Sequence, residues 1–278
     1  MGEGHNKTNN NQTMATNNRI GPHIGLQGSF TDTLKALPKG CDCFQTFIGA
    51  PLNYNLKKFD AADLASAGKF LHTNNMQMYV HAPYVINLAN PEKCAPGRAC
   101  LQKYLDTLAQ ISPTHTGTIL HIGANGSLEH VADQLNSMNI SSPLYLENCA
   151  GEGSKLGKSM AELQKLMDLT DSHRVGICID TCHAHSAGLT DMRDTRQIVK
   201  LFDDLPDDRA TMFHLNDSKV DYNAKVDRHM PVGDGTIWSH NRESLTTFAD
   251  LANISGRDIV LETPSMTLRE MNWLRSVD

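Results

Sequence analysis

Eight short apolar runs, amphipathic stretches between most of them and a length of 278 residues predict an α/β protein, a (β/α)8 barrel of the TIM type. Alternating strand and helix periodicities mean βαβ units and hence a parallel sheet. Eight such units in a chain of this size favour a closed barrel, for which roughly 250 residues is typical, over an open sheet.

The strand runs occupy residues 20–25, 41–48, 77–82, 118–122, 144–147, 175–179, 211–215 and 259–262. The clearest helical pattern covers 154–170, where Leu156, Met160, Leu163 and Met167 share one face at 4-3-4 spacing. Residues 60–72 and 128–138 repeat that pattern. Residues 1–18 are rich in Asn, Thr and Gly and nearly free of large apolar side chains, so a disordered tail is expected there. Residues 19–278 show no linker or shift of composition and read as a single barrel domain. The longest irregular stretch, 216–237, lies between the seventh and eighth strands. A long loop on the functional rim of a barrel is usually functional.

Forty per cent hydrophobic residues supply a large core. No apolar run approaches the roughly 18 residues that span a bilayer, and the N-terminus lacks the apolar segment of a secretory signal. Met1-Gly2 opens like a myristoylation site, but Asn6 stands where Ser or Thr is needed. The expectation is a soluble intracellular monomer, in cytoplasm or nucleus, neither secreted nor bound to membrane. The seven scattered cysteines form no Cys-x-x-Cys pair and read as free, mostly buried thiols. Cys178 and Cys182 read as small strand-filling hydrophobes rather than ligands. A formal charge of −6 argues against a broad basic surface for nucleic acid. It leaves open a nucleic-acid enzyme whose positive charge is carried by bound metal.

The run Val175-Gly176-Ile177-Cys178-Ile179 leads straight into Asp180 and His183. Alone, that pair is either a helix cap or two metal ligands. Five other strands supply the same residue types at the same end: His81, His121, Glu147, His214 and Glu262. The loop after strand seven adds Asp227 and His229, two apart and so on one side of an extended segment. In a parallel barrel these ends converge on one face. Four carboxylates crowded there repel one another unless cations intervene. His with mixed carboxylates suits zinc, with manganese or iron as alternatives. Nine ligands exceed the needs of one ion; at about three each they fit two or three, with positions left for water and substrate.

Six segments closely resemble the endonuclease IV family of apurinic/apyrimidinic (AP) endonucleases. They are Ile20-Gly21-Pro22-His23, the eight residues from His81 to Leu88 (HAPYVINL), the eight from Leu146 to Gly153 (LENCAGEG), Cys178-Ile179-Asp180-Thr181-Cys182-His183-Ala184, His214-Leu215-Asn216-Asp217-Ser218-Lys219 and Val226-Asp227-Arg228-His229. The resemblance runs from about Ile20 to Glu262 and fills all nine ligand positions of the family in order. It implies three zinc ions, with manganese an alternative at one of them. His81 and His121 would hold the first; Glu147 would bridge it to a second completed by Asp180, His214 and Glu262; His183, Asp227 and His229 would hold the third. It implies incision of double-stranded DNA on the 5′ side of an abasic site, leaving a 3′-hydroxyl and a 5′-deoxyribose phosphate, and trimming of blocked 3′ ends. The implied nucleophile is a metal-bridging hydroxide, with Glu147 and Glu262 catalytic as metal ligands. Three divalent ions outweigh four carboxylates, so the site would be positive inside an acidic chain.

The segment after strand two departs from the family. There the family presents an Arg-containing loop to the minor groove; Phe47-Ile48-Gly49-Ala50-Pro51-Leu52-Asn53-Tyr54 contains no Arg. Leu52 and Tyr54 are the candidate apolar wedges, and Tyr84 matches the family's other inserted side chain. His23 is expected to back the ligands rather than join them, and His185 either to back them or to be incidental, not a tenth ligand. Two alternatives share the barrel: a metal-dependent sugar isomerase or epimerase, which needs one or two ions and a proton-shuttling Lys or Glu, and a damaged-DNA binder that no longer cleaves. The first conflicts with nine ligands and the second with a complete ligand set.

Overall fold

The computed structural model describes residues 18–263 together with Met271 and Leu274. The expected disordered tail therefore lies outside the described residues except for Asn18. Eight parallel strands make up the barrel: β1 (Ile20–Pro22), β2 (Cys43–Thr46), β3 (Gln77–His81), β4 (Thr116–His121), β5 (Leu144–Glu147), β6 (Val175–Asp180), β7 (Thr211–Leu215) and β10 (Ile259–Leu261). They form one sheet in the order β1-β10-β7-β6-β5-β4-β3-β2. The sheet closes between β1 and β2: His23 bridges Gln45 in parallel, and the Ile24 amide donates to the Gln45 carbonyl at 2.8 Å. Gly21 permits this seam, because a Cβ there would stand 1.7 Å from the Cys43 carbonyl oxygen. The (β/α)8 barrel expected from the periodicity is the fold observed.

Side-chain alternation sorts each strand into two faces. Cys43, Tyr79, Ile119, Tyr145, Cys178, Met212 and Val260 point inward and pack together as the barrel interior. Phe44, Val80, Leu120, Leu146, Ile179, Phe213 and Leu261 belong to the larger core that includes the helices. Burying each such side chain contributes about 1.5–3 kcal/mol. Two residues beyond the interior set, the inward register reaches Gln45, His81, His121, Glu147, Asp180, His214 and Glu262. The polar rim is therefore the next layer of the same stack.

The helices are α1 (Phe30–Lys35), α2 (Ala61–Thr73), α3 (Cys94–Ile111), α4 (Leu128–Asn136), α5 (Met160–Leu169), α6 (Thr181–Ala187), α7 (Thr195–Asp203) and α8 (Arg242–Ile254). Asp60, Ser127 and Ser159 cap α2, α4 and α5 with side-chain oxygens. The α5 cap corrects the expected start of that helix at 154. Ser159 accepts from the Glu162 amide, while Glu162 reaches back to the Gly157 and Lys158 amides. Residues 154–158 thereby stay in the preceding loop. No helix among the described residues is long and apolar enough to cross a membrane.

The 216–237 stretch is less irregular than its composition indicates. Within it β8 (Asp217–Ser218) pairs antiparallel with β9 (His229–Met230). Asp217 is fully buried, and its carboxylate accepts from the amides of Ser218, Gly233, Gly235, Ile237 and Trp238 at 2.7–3.3 Å. One anion thus gathers the whole loop. Asp217→Asn leaves one acceptor oxygen where five donors converge and sets an NH2 group against the rest. The expected cost is about 3 kcal/mol, seen as a fall in Tm of roughly 5–10 °C. Metal content, read by mass spectrometry, is expected to drop with it because β9 carries His229. An unchanged Tm would remove this role from Asp217.

Candidate metal centre

The nine expected ligands come together at the C-terminal ends of the strands. With Cys178 and Cys182 they fall into overlapping groups whose potential ligand atoms lie within 4.8 Å of one another. Glu147, 1% exposed, stands at the centre. Its Oε2 is 3.2 Å from His81 Nε2 and 3.5 Å from His121 Nε2, and its Oε1 is 3.0 Å from His214 Nδ1. Glu262 Oε2 is 3.2 Å from the same His214 Nδ1. On the far side, Asp227 lies 3.2 Å from His183 Nε2 and 3.3 Å from His229 Nε2, and those two ring nitrogens are 3.3 Å apart. His229 Nε2 is 3.6 Å from Asp180 Oδ2.

These separations fit metal. Two atoms each 2.0–2.1 Å from a tetrahedral ion stand roughly 3.3 Å apart. The 3.5 and 3.6 Å pairs are long for hydrogen bonds and ordinary as edges of a coordination shell.

The tautomers point the same way. His81 Nδ1 donates to the Ala82 carbonyl at 2.7 Å, His183 Nδ1 to the Asn148 carbonyl at 3.0 Å, and His214 Nε2 to Gln45 Oε1 at 2.8 Å. Each bond fixes the proton on one ring nitrogen. The other nitrogen of each neutral ring then aims a lone pair at a carboxylate. Lone pair facing carboxylate is repulsive unless a cation lies between them. Without metal, protons fill that role. Although burial disfavours the charged ring, Asp180 and Asp227 push His183 up to about 10. Against the same burial penalty, the Glu262 and Glu147 carboxylates hold His214 well above the ordinary imidazole value. His121 takes the opposite course: burial lowers it to about 4, with the Glu147 charge only partly offsetting. Glu147 and Glu262 are held below the usual carboxylate range, burial notwithstanding, by the imidazoles of His121 and His214 respectively.

Asp180 fulfils both meanings that its position allows. Its Oδ1 caps α6 by accepting from the His183 amide at 2.8 Å, while Oδ2 turns toward His229 and Asn216. Cys178 and Cys182 lie within reach of ligand atoms, but burial raises both thiols, Cys178 to about 12, so neither supplies a thiolate.

His23 backs the centre through Gln45, with its Nδ1 2.9 Å from Gln45 Nε2 and 3.7 Å from Glu262 Oε1. Of the two places expected for His185, it takes the one apart from the ligands and does not back them. Its ring lies against Tyr222 and 3.4 Å from Asp191, while His183 on the other side of α6 enters the site. Successive residues on a helix diverge by about 100°, which separates His185 from His183.

Residue types alone give Gln45, Asn148 and Asn216 no role, yet all three organise ligands. Gln45 donates to Glu262 Oε1 at 2.5 Å while accepting from His214. Asn216 donates to Asp180 Oδ2 and Glu262 Oε2, and Asn148 brackets the Asp180 backbone. The available signal for Gln45 is its inward register two residues after Cys43.

A cavity of about 470 Å³ opens over the centre, walled by His81, Tyr84, His121, Asp227, His229 and Glu262 among others. Beside it, the loop after β2 packs on the loop after β3: the Tyr84 amide donates to the Pro51 carbonyl, and Tyr54 Oη to that of Val85. Leu52, Tyr54, Tyr84 and Val85 are 74, 40, 51 and 36% exposed and form an apolar lip there.

Fold and site together define a TIM barrel with a candidate metal centre. The family model of xylose isomerase-like TIM barrels matches residues 34–277. Probable endonuclease 4 of Lysinibacillus sphaericus is 32% identical over 267 residues, 90% of this chain and 88% of its own length. The crystal structure of endonuclease IV from Thermus thermophilus matches with a TM-score of 0.77 at 25% identity, covering 92% of this chain and 95% of that one. A D-tagatose 3-epimerase-like protein shares the fold alone, with a TM-score of 0.62 at 15% identity, over 93% of this chain and 95% of that one. The chain belongs to the endonuclease IV family of xylose isomerase-like TIM barrels.

Proposed function

We propose that residues 19–278 form a single catalytic domain, a zinc-dependent AP endonuclease of DNA base-excision repair. It acts as an intracellular monomer on double-stranded DNA. It hydrolyses the phosphodiester 5′ to an abasic site, leaving a 3′-hydroxyl and a 5′-deoxyribose phosphate, and trims blocked 3′ ends. The observation that carries this reading is the set of three histidines whose fixed tautomers aim lone pairs at three carboxylates, Glu147, Asp227 and Glu262. The endonuclease names and structure among its relatives support it.

His81, His121 and Glu147 would hold one ion. Asp180, His214 and Glu262 would hold a second with Glu147, and His183, Asp227 and His229 a third. Zinc held there supplies Lewis acidity and water acidified to a pKa of about 7, so no side chain need attack phosphorus. The chain's own residues set the geometry. Glu147 divides its two oxygens between neighbouring ligand pairs. Gln45 ties Glu262 to His214. Leu52, Tyr54 and Tyr84 form a lip suited to entering the minor groove and holding an extrahelical sugar away from the stack.

The test is incubation of the purified protein with a duplex carrying one tetrahydrofuran abasic analogue, with zinc and with chelator. Incision on the 5′ side, abolished by chelator, is expected. No incision with zinc present overturns the reading. A stoichiometry near one metal per chain, with conversion of a ketose, would instead favour the epimerase alternative.

A further inference from the structure

Carboxylates and imidazoles are among the walls of the cavity over the metal centre. Among the described residues walling it, Lys155 is the only lysine or arginine. A substrate that is a chain of phosphates enters past this one ammonium group.

Its position is built rather than incidental. The Lys155 backbone is clamped to the loop after β4: residue 155 bridges Ala124 antiparallel, and the Leu156 amide donates to the Gly123 carbonyl at 2.9 Å. Ser154 Oγ adds a bond to Asn125 Oδ1 at 2.6 Å. That loop follows His121 directly, so the clamp fixes the origin of the Lys155 side chain beside a ligand. At the other end, Lys155 Nζ pairs with Glu152 Oε2. Glu152 Oε1 accepts from the amide of Asp227 at 3.2 Å. The ammonium is thereby tied, through one carboxylate, to the segment that carries two further ligands. It is also 45% exposed, so it can turn two of its three donors to an incoming anion without leaving Glu152.

We propose that Lys155 is a substrate-binding residue of the cleft, contacting a backbone phosphate of the DNA near the scissile bond, with Glu152 holding it in place and tempering its charge. The inference rests on the incision reading above. A phosphate contact of this kind positions the strand without reading sequence and adds to the salt dependence of binding.

The experiment measures incision of the tetrahydrofuran duplex across a series of salt concentrations, on metal-loaded protein. Wild type is measured first: no incision there sinks the endonuclease reading itself, an outcome separate from the variant results. For Lys155→Met, KM is expected to rise roughly fivefold with kcat little changed. The slope of log(kcat/KM) against log[salt] is expected to become shallower by about 1. Lys155→Arg restores the slope. Glu152→Gln keeps an acceptor for the Asp227 amide while removing a negative charge, so KM is expected to fall. Lys158→Met is the control: Lys158 pairs with Glu162 on the same segment and does not wall the cavity, and its slope is expected to match wild type. Three results overturn the proposal: an unchanged slope in Lys155→Met, an equal change in Lys158→Met, or loss of metal from Lys155→Met, which would make the pair structural.

Discussion

Glu147→Gln is expected to abolish incision, by roughly four orders of magnitude, given that metal ions contribute several kcal/mol to such a barrier. The carboxylate faces more than one ligand group at once. It offers Oε2 to His81 and His121, and Oε1 to His214. Glutamine is isosteric but has a single oxygen, and its NH2 group donates where a second oxygen is needed. One side of the centre loses its anion, while His81 or His214 donates or accepts a simple hydrogen bond instead. Metal content is expected to fall by at least one ion per chain, with the circular dichroism spectrum unchanged because the volume is preserved. More than a tenth of wild-type incision in the variant would remove Glu147 from the centre of the mechanism.

Metal loading is expected to release at least two protons per chain at pH 7. In the metal-free protein His183 is held up to about 10 and His214 well above its ordinary value, so both rings carry a proton on the nitrogen a metal needs. An ion displaces those protons. Loading therefore weakens as the pH falls and tightens as it rises toward about 10. The sign is opposite for the stability of the metal-free form. A raised imidazole pKa contributes stability that is complete below about 6.5 and is lost as the pH rises through the folded-state value. The chelated protein is thus expected to weaken between about pH 6.5 and 10 while the loaded protein does not. Loaded protein at 1,000 times the Kd in free metal gains about 4 kcal/mol over the chelated form. Calorimetric titration in two buffers of different ionisation enthalpy counts the protons. A count of zero would mean that His183 and His214 are already neutral.

Much of the centre is legible along the chain because a barrel strand has a strict period of two. Once Tyr79, Tyr145 and Cys178 are inward, His81, Glu147 and Asp180 must be inward as well. Strand ends and residue types then nominate the ligands without any contact being known. The start of α5 is less legible, since Leu156 continues the apolar spacing even though Ser159 and Glu162 end the loop. The place of His185 follows from helix geometry that only becomes definite once α6 is seen to begin at Thr181.

The sequence by itself determined the eight strands, the face they share and the residue types that line it. These follow from local periodicity and from the rule that parallel strands end on one side. Only the tertiary structure decided that Gln45 joins Glu262 to His214, that Asp217 gathers the loop bearing His229, and that Lys155 walls the cavity while pairing with Glu152. Such roles belong to side chains far apart in the chain, with 217 positions separating Gln45 from Glu262. An amide, an aspartate or a lysine acquires its function from the partner it meets, and the closed barrel determines which partner that is.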